Sequence, residues 1–268
     1  MTPITCICDA QGVPCQQVSR YRGCPAFLVC GGPSLASMDL GLLQRPGVMS
    51  MAVNNALALV RTDMMIFADG PGQFLASGFL DPRVRVFAPR SSADSAISDS
   101  RTKLPMPIKV RDCPNIDYYQ VESPFRPETF LTSGKVPWGD ADKAQGFRST
   151  MACAIRVLYD LGFRTVFLLG CDFRMKRDRP YAFSQEYEER LIRHNNNMYQ
   201  TWTRRFTELQ PYFLRAGFSI FNCTPGSALT VFPQTTLEEA VDSCRLLVPP
   251  EEEKTEGMYA RKPKDEKQ

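Results

Sequence analysis

Short apolar runs alternate with polar, helix-compatible stretches along most of the chain. Ala26-Phe-Leu-Val29 leads into Cys30-Gly31-Gly32-Pro33-Ser34, the pattern of a buried strand, a tight turn and a helix start. A helix is expected over 35–43, strands over 47–53, 64–68 and 84–88, and a short helix from 54 to 61. The alternation fades between 89 and 145, where Pro, Ser, Asp and Arg abound. Irregular connections are expected there, with short strands near 108–110 and 118–121. Order returns with a helix over 148–161, whose apolar positions Met151, Ile155, Leu158 and Leu161 keep helical spacing and which Gly162 ends. A buried strand over 165–170, a long helix over 185–209, a strand over 218–222 and a helix from 237 to about 246 complete the series. Strands alternating with helices at this spacing imply an α/β fold. A Rossmann-like, mostly parallel sheet flanked by helices is expected, with a lid insertion over about 174–200.

In such sheets ligands gather beyond the carboxyl ends of the strands. That edge collects Gly31, Gly32, Pro33 and Ser34 after the first strand, Asn54 and Asn55 after the second, Asp69 after the third, and Gly170 and Asp172 after the buried strand at 165–170. Each of these alone reads first as a plain loop or capping residue; three consecutive strands ending this way tilt the group toward a ligand site. The glycines permit close backbone approach, Pro33 suits a first helical position, and Ser34 adds a hydroxyl beside the N–H groups of a helix start, where phosphates bind. The turn matches neither the G-x-G-x-x-G fingerprint nor the Walker A loop. Ser149 or Thr150 caps the helix that follows. His194 is the only histidine, so any imidazole acid–base step near neutral pH falls to it.

With 268 residues and 43% apolar content the chain can bury one large core. Residues 26–248 are expected to form that domain, after an extension over 1–25 and before a charged, disordered tail over 249–268. The net charge of +3 neither demands nor excludes an anionic partner. Arg83, Arg85, Arg90, Lys103, Lys109 and Arg111 would form a phosphate-tracking face, unless they are simply a wet surface. Ten cysteines would suit a disulfide scaffold, but the N-terminus shows no basic region followed by an apolar run. A reduced, cytoplasmic protein is expected. Cys6, Cys8, Cys15 and Cys24 lack paired C-x₂₋₄-C spacing, so a short hairpin is favoured there over zinc. No apolar run approaches membrane-spanning length. Asp140-Ala-Asp142 matches a D-x-D pattern able to hold a divalent cation, a solvated loop being the plain alternative.

Taken in order, Gly31-Gly-Pro-Ser-Leu35, Asn54, Ser149-Thr150, Leu161-Gly-Phe163 with Gly170-Cys-Asp-Phe173, Tyr181-Ala-Phe183 and His194 resemble the bacterial sialyltransferases of glycosyltransferase family 42 and their flagellar, motility-associated glycosylation relatives. The resemblance covers roughly residues 26–240. It implies a nucleotide sugar as donor substrate, with no cofactor required and a divalent metal left open. It also implies that Gly31, Gly32, Ser34, Asn54, Ser149 and Thr150 hold the nucleotide, Tyr181 the phosphate, and that His194 is the base. Arg174 stands where the family has its first lid tyrosine; an arginine there suits an anionic leaving group, with Lys176 nearby. Gly31 replaces the family's asparagine, so the donor need not be a CMP-sugar. Asp172 would orient donor or acceptor.

Val53-Asn-Asn-Ala-Leu57, Phe67-Ala-Asp-Gly-Pro-Gly-Gln-Phe74 and Asn222-Cys-Thr-Pro-Gly-Ser-Ala-Leu-Thr-Val-Phe232 are similar to phage-encoded TET/JBP-associated glycosyltransferases. That likeness implies hydroxymethylated pyrimidine in phage DNA as acceptor, and host cytoplasm as location. A glycan or protein acceptor of the sialyltransferase type is the alternative. A pterin pyrophosphokinase using ATP and magnesium at Asp69, Asp140 or Asp142 stays open. So does a catalytically idle nucleotide-binding module.

Overall fold

The computed structural model describes residues 4–15, 20–139, 148–177, 180–183, 189–244 and 256–257. Asp140, Asp142 and all of the expected tail except 256–257 lie outside these residues. Eight strands form the main sheet. In chain order they are β1 (Ile7–Cys8), β2 (Pro25–Val29), β3 (Met49–Val53), β4 (Met64–Ile66), β5 (Arg85–Pro89), β6 (Ile116–Tyr119), β7 (Thr165–Leu169) and β8 (Ser219–Asn222). Across the sheet they run β1-β6-β5-β4-β3-β2-β7-β8, and every neighbouring pair is parallel except β1 with β6. The helices are α1 (Ala76–Leu80), α2 (Thr150–Asp160), α3 (Glu189–Arg215) and α4 (Leu237–Asp242). The fold is therefore α/β and Rossmann-like. After the edge strand β1, the chain enters the middle of the sheet at β2, builds outward to β6, and returns through α2 to β7 on the other side of β2. The order reverses between β2 and β7, and that switch point positions the site.

Alternating side chains of each central strand serve opposite faces. Ala26, Leu28, Val166 and Leu168 pack toward α2 and α3, against Ile155, Trp202 and Phe206. Phe27, Val29, Phe167 and Leu169 pack on the other side with Leu35, Leu43 and Leu237. Burial on both faces is why these strands read as unbroken apolar runs.

The connections differ from expectation at several places. Over 35–43, two 3₁₀ turns, Pro33–Ser37 and Leu40–Gln44, replace a single helix. Met38 is extended, and Asp39 starts the second turn by accepting from the Gly41 N–H at 3.0 Å. Residues 54–61 hold a 3₁₀ turn only, Asn54–Ala58, because Asn54 enters with φ of 56°, a left-handed conformation that asparagine tolerates. The long helix ends at Arg215, six residues beyond the expected 209, and carries Pro211 inside it.

The described part of residues 1–25 reaches the main sheet. β1 pairs with β6 and turns back through the Cys8–Pro14 bridge, a short hairpin built into the sheet edge. A buried ion pair anchors it. Arg156 of α2, 0% exposed, lies 3.1 Å from Asp160 and donates to the carbonyls of Phe130 at 2.8 Å, Ser133 at 2.9 Å and Ile4 at 3.3 Å. Asp160 in turn accepts from Thr5 Oγ1 at 3.1 Å and the Cys6 N–H at 2.7 Å. Replacing Arg156 by Met leaves a buried carboxylate without its countercharge and is expected to cost about 3–5 kcal/mol. Chemical denaturation measures it; a loss under about 1 kcal/mol would show that this network does not anchor the N-terminal segment.

Candidate active site

Past the carboxyl ends of β2 and β7 the chain is drawn together tightly. The Gly32 N–H donates to the Gly170 carbonyl at 2.9 Å. A Cβ on Gly32 would stand 1.9 Å from Asp172 Oδ2 and 2.4 Å from Gly170 O, so only glycine fits. Gly170 itself has φ of 63° and lies against Leu35 and the Cys30 carbonyl. Asp172 closes the junction: Oδ2 accepts from Ser34 Oγ at 2.7 Å and Oδ1 from the Ser34 N–H at 3.3 Å. The turn after β8 secures the far side, with Thr224 Oγ1 accepting from the Cys171 N–H at 2.9 Å and Ala228 N–H donating to Asp172 O at 2.9 Å.

This arrangement alters two expectations. The amides of Gly32 and Ser34 and the Ser34 hydroxyl, expected to face a phosphate, are already bonded within the protein. Pro33 starts a five-residue 3₁₀ turn, too short to supply a helix N-terminus. Asp172, expected to orient a substrate, holds Ser34 instead.

Beyond the junction lies a cavity of about 490 Å³. Its lining includes Gly31, Gly32, Pro33, Asn54, Asn55, Asp69, Ser149, Thr150, Gly170, Asp172, Arg174, Tyr181 and His194, which the sequence singles out; Ser34 and Lys176 do not line it. α2 points its N-terminus into this space. Ser149 caps it by accepting from the Ala152 N–H at 3.2 Å, leaving the positive end of the helix dipole on the cavity. Exposed Arg148 stands beside it, its guanidinium 5.2 Å from the centre of the Trp138 ring. Asp69 lines the cavity wall, where partial desolvation by the surrounding protein raises its carboxyl above the ordinary value and Arg148 pulls the other way.

α3 forms the opposite wall. Leu191, His194, Asn195, Met198, Tyr199 and Trp202 recur at helical spacing, so one stripe of the helix faces the cavity. Asn196 fastens the 173–176 segment to this helix: its Oδ1 accepts from the Met175 N–H at 2.8 Å and its Nδ2 donates to the Met175 carbonyl at 3.1 Å. Phe173 stacks on Tyr199 at 5.0 Å. Over the glycine turn, Ala182 N–H donates to Gly31 O at 3.0 Å, and the stacked rings of Tyr181 and Phe183 come within 3.0 and 3.2 Å of where a Gly31 Cβ would stand.

Asn54 is the most telling residue of the wall. Its Oδ1 is buried and has no hydrogen-bond partner among the described residues, although its backbone is held in a left-handed conformation. A buried acceptor left unpaired is costly, and a ligand N–H or O–H would satisfy it. Arg148, Trp138 and Tyr199 escaped sequence reasoning; only α3 carried a usable signal, in the i,i+4 spacing of Tyr199 from Asn195 beside His194. The basic face is not built as expected. Arg83 pairs with Asp81, Arg85 with Asp117, and Lys109 and Arg111 with Asp94, while Arg90 donates to Gln11 O and Lys103 to Ser100 O. Among the described residues no three His, Cys, Asp or Glu side chains cluster as metal ligands. No described helix is long and apolar enough to cross a membrane.

Neither a scan of protein-family models nor a search of curated proteins returns a match. Among solved structures, the chain is similar to a MAf glycosyltransferase from Magnetospirillum magneticum AMB-1, with 15% identity and a TM-score of 0.48. The match covers 88% of this chain and 36% of that protein, so the chain spans about a third of its length.

Gly32→Ala is expected to force the β2–β7 junction apart and cost about 1–3 kcal/mol. Gly31→Ala, whose Cβ meets only the movable rings of Tyr181 and Phe183, is expected to cost less. Denaturation of the two variants side by side checks this, and equal stability would contradict the tight junction.

Proposed function

We propose that the chain is a nucleotide-sugar-dependent glycosyltransferase acting by single displacement in the cavity at the β2–β7 switch point. One observation carries the reading. The only histidine of the chain lines the same cavity as the cationic and dipolar groups suited to a nucleotide diphosphate. The anionic phosphates are seated at the N-terminus of α2 with Thr150 and Arg148, not at the glycine turn, where the Gly32 and Ser34 amides are engaged. Asn54 Oδ1 accepts from a hydroxyl or amine of the nucleoside. Tyr181 and Arg174 face the departing phosphate and stabilise its growing charge. His194 takes the proton of the acceptor hydroxyl as that oxygen attacks the anomeric carbon.

The family resemblance of the sequence supports the same donor class. It suggests hydroxymethylated pyrimidine in DNA as acceptor, to which the 83–111 surface adds little, since most of its cations pair with carboxylates. Metal chemistry is not needed for this mechanism, because cationic side chains and the helix dipole serve the leaving group.

A thermal-shift panel of nucleotides and nucleotide sugars identifies the donor, and slow donor hydrolysis without acceptor then measures turnover. His194→Ala is expected to keep the melting temperature and the nucleotide-induced shift while lowering turnover on the order of a hundredfold or more. Unchanged turnover in that variant removes His194 from the mechanism. ATP cleavage to AMP that requires a pterin would replace the transferase reading by a pyrophosphokinase.

A further inference from the structure

The floor of the cavity holds two thiols in contact. Cys30, the residue after β2, and Cys171, two residues after β7, have their sulfurs 3.2 Å apart, and Met151 Sδ of α2 lies 3.8 Å from Cys171 Sγ. Both cysteines line the cavity; Cys30 is partly exposed and Cys171 buried. A disulfide places its sulfurs at about 2.05 Å, so roughly 1 Å of approach separates this pair from a covalent bond. These two sit one residue before Gly31 and one before Asp172, both of which line the cavity.

We propose that Cys30 and Cys171 are a modification site: a dithiol that a hydroperoxide converts reversibly into a disulfide, closing the cavity to its nucleotide ligand. Cys30, the accessible member, meets the oxidant. Its thiolate attacks one peroxide oxygen, giving a sulfenic acid and one water. The Cys171 sulfur then attacks the Cys30 sulfur and expels the hydroxyl as a second water, so two thiols and one hydrogen peroxide become one disulfide and two waters. Burial raises the Cys171 thiol well above its ordinary value and keeps it protonated, so Cys30 rather than Cys171 makes first contact with the oxidant.

The bond matters for the cavity because the junction has no slack. Gly32 already lies where a single added carbon would meet Asp172 and Gly170, and Cys30 O is 2.9 Å from where a Gly170 Cβ would stand. Drawing the two sulfurs together therefore displaces Gly31 and Asp172, both of which line the cavity. This effect on ligand binding rests on the transferase reading above; the formation of the bond does not.

The test uses the full wild-type chain, reduced, treated with hydrogen peroxide, alkylated, digested and mapped by mass spectrometry. The expected product is one linked pair of peptides joining Cys30 to Cys171, released by dithiothreitol. Oxidation of exposed Cys24 while Cys30 and Cys171 both remain alkylated as thiols overturns the proposal. A nucleotide that shifts the melting temperature, supplied at about ten times its Kd, is expected to slow linkage about tenfold, since only the unliganded fraction reacts. Linked protein is expected to lose that shift. Linkage that leaves the shift intact overturns the closing of the cavity. If no nucleotide shifts the reduced chain, the transferase reading fails, and the peptide map still decides whether the dithiol exists.

Discussion

The close approach of the chain after β2 to the chain after β7 is the constraint on which the remaining geometry depends. Parallel strands on either side of a switch point diverge into separate connections, and something must hold those connections together if a cleft is to have a fixed floor. Here the hold is polar and short: the Gly32 amide on the Gly170 carbonyl, and Ser34 on both oxygens of Asp172. It requires glycine at 32, where a side chain has no room, and at 170, where φ is positive. These bonds occupy the Gly32 and Ser34 groups, so the free backbone amides at the cavity are those of the α2 N-terminus.

The cavity is thus assembled from two separate sets of elements. Its floor and one wall belong to the sheet and to the capped start of α2, whose interior is buried against β3. Its opposite wall is a stripe on α3, which Trp202, Phe206 and Leu209 fasten into the core. The basic segment at 174–176 is tied to that helix through Asn196 and Met175. Arg174 and His194 are therefore carried on α3 and the segment bonded to it, and the glycine turn on the sheet. Ala182, bonded to Gly31, joins the two.

Much of this was legible in the sequence because burial on two faces leaves a plain trace. The runs at 26–29, 49–53 and 165–169 stand out as apolar blocks, and each central strand formed within a few residues of its expected place. Parallel order followed from their spacing with helices. The residues after those strands were expected at one edge, and most of them line one cavity. What stayed hidden depends on contacts between distant segments. Asp172 is 138 positions from Ser34, so nothing local reveals that it satisfies the turn instead of a ligand. The ion pairs of Arg85 with Asp117 and of Lys109 and Arg111 with Asp94 likewise join segments well apart in the chain, and Arg156 looks like an ordinary helical arginine until its four partners are seen. The helix expected at 35–43 failed for a local reason: Asp39 caps a fresh turn more readily than it continues the old one.

The two margins of the main sheet lead in another direction. β1 is two residues long and is backed by the strip at Pro14–Cys15, whose amide bonds to Ile7 O at 2.9 Å. β8 is four residues long, and its last residue, Asn222, is met by the segment at 233–235 through bonds of 2.8 and 3.2 Å. Neither margin presents a long row of unpaired amides and carbonyls on which a foreign strand could zip. Self-association of the main sheet into an extended β-ribbon therefore finds little template at these two margins.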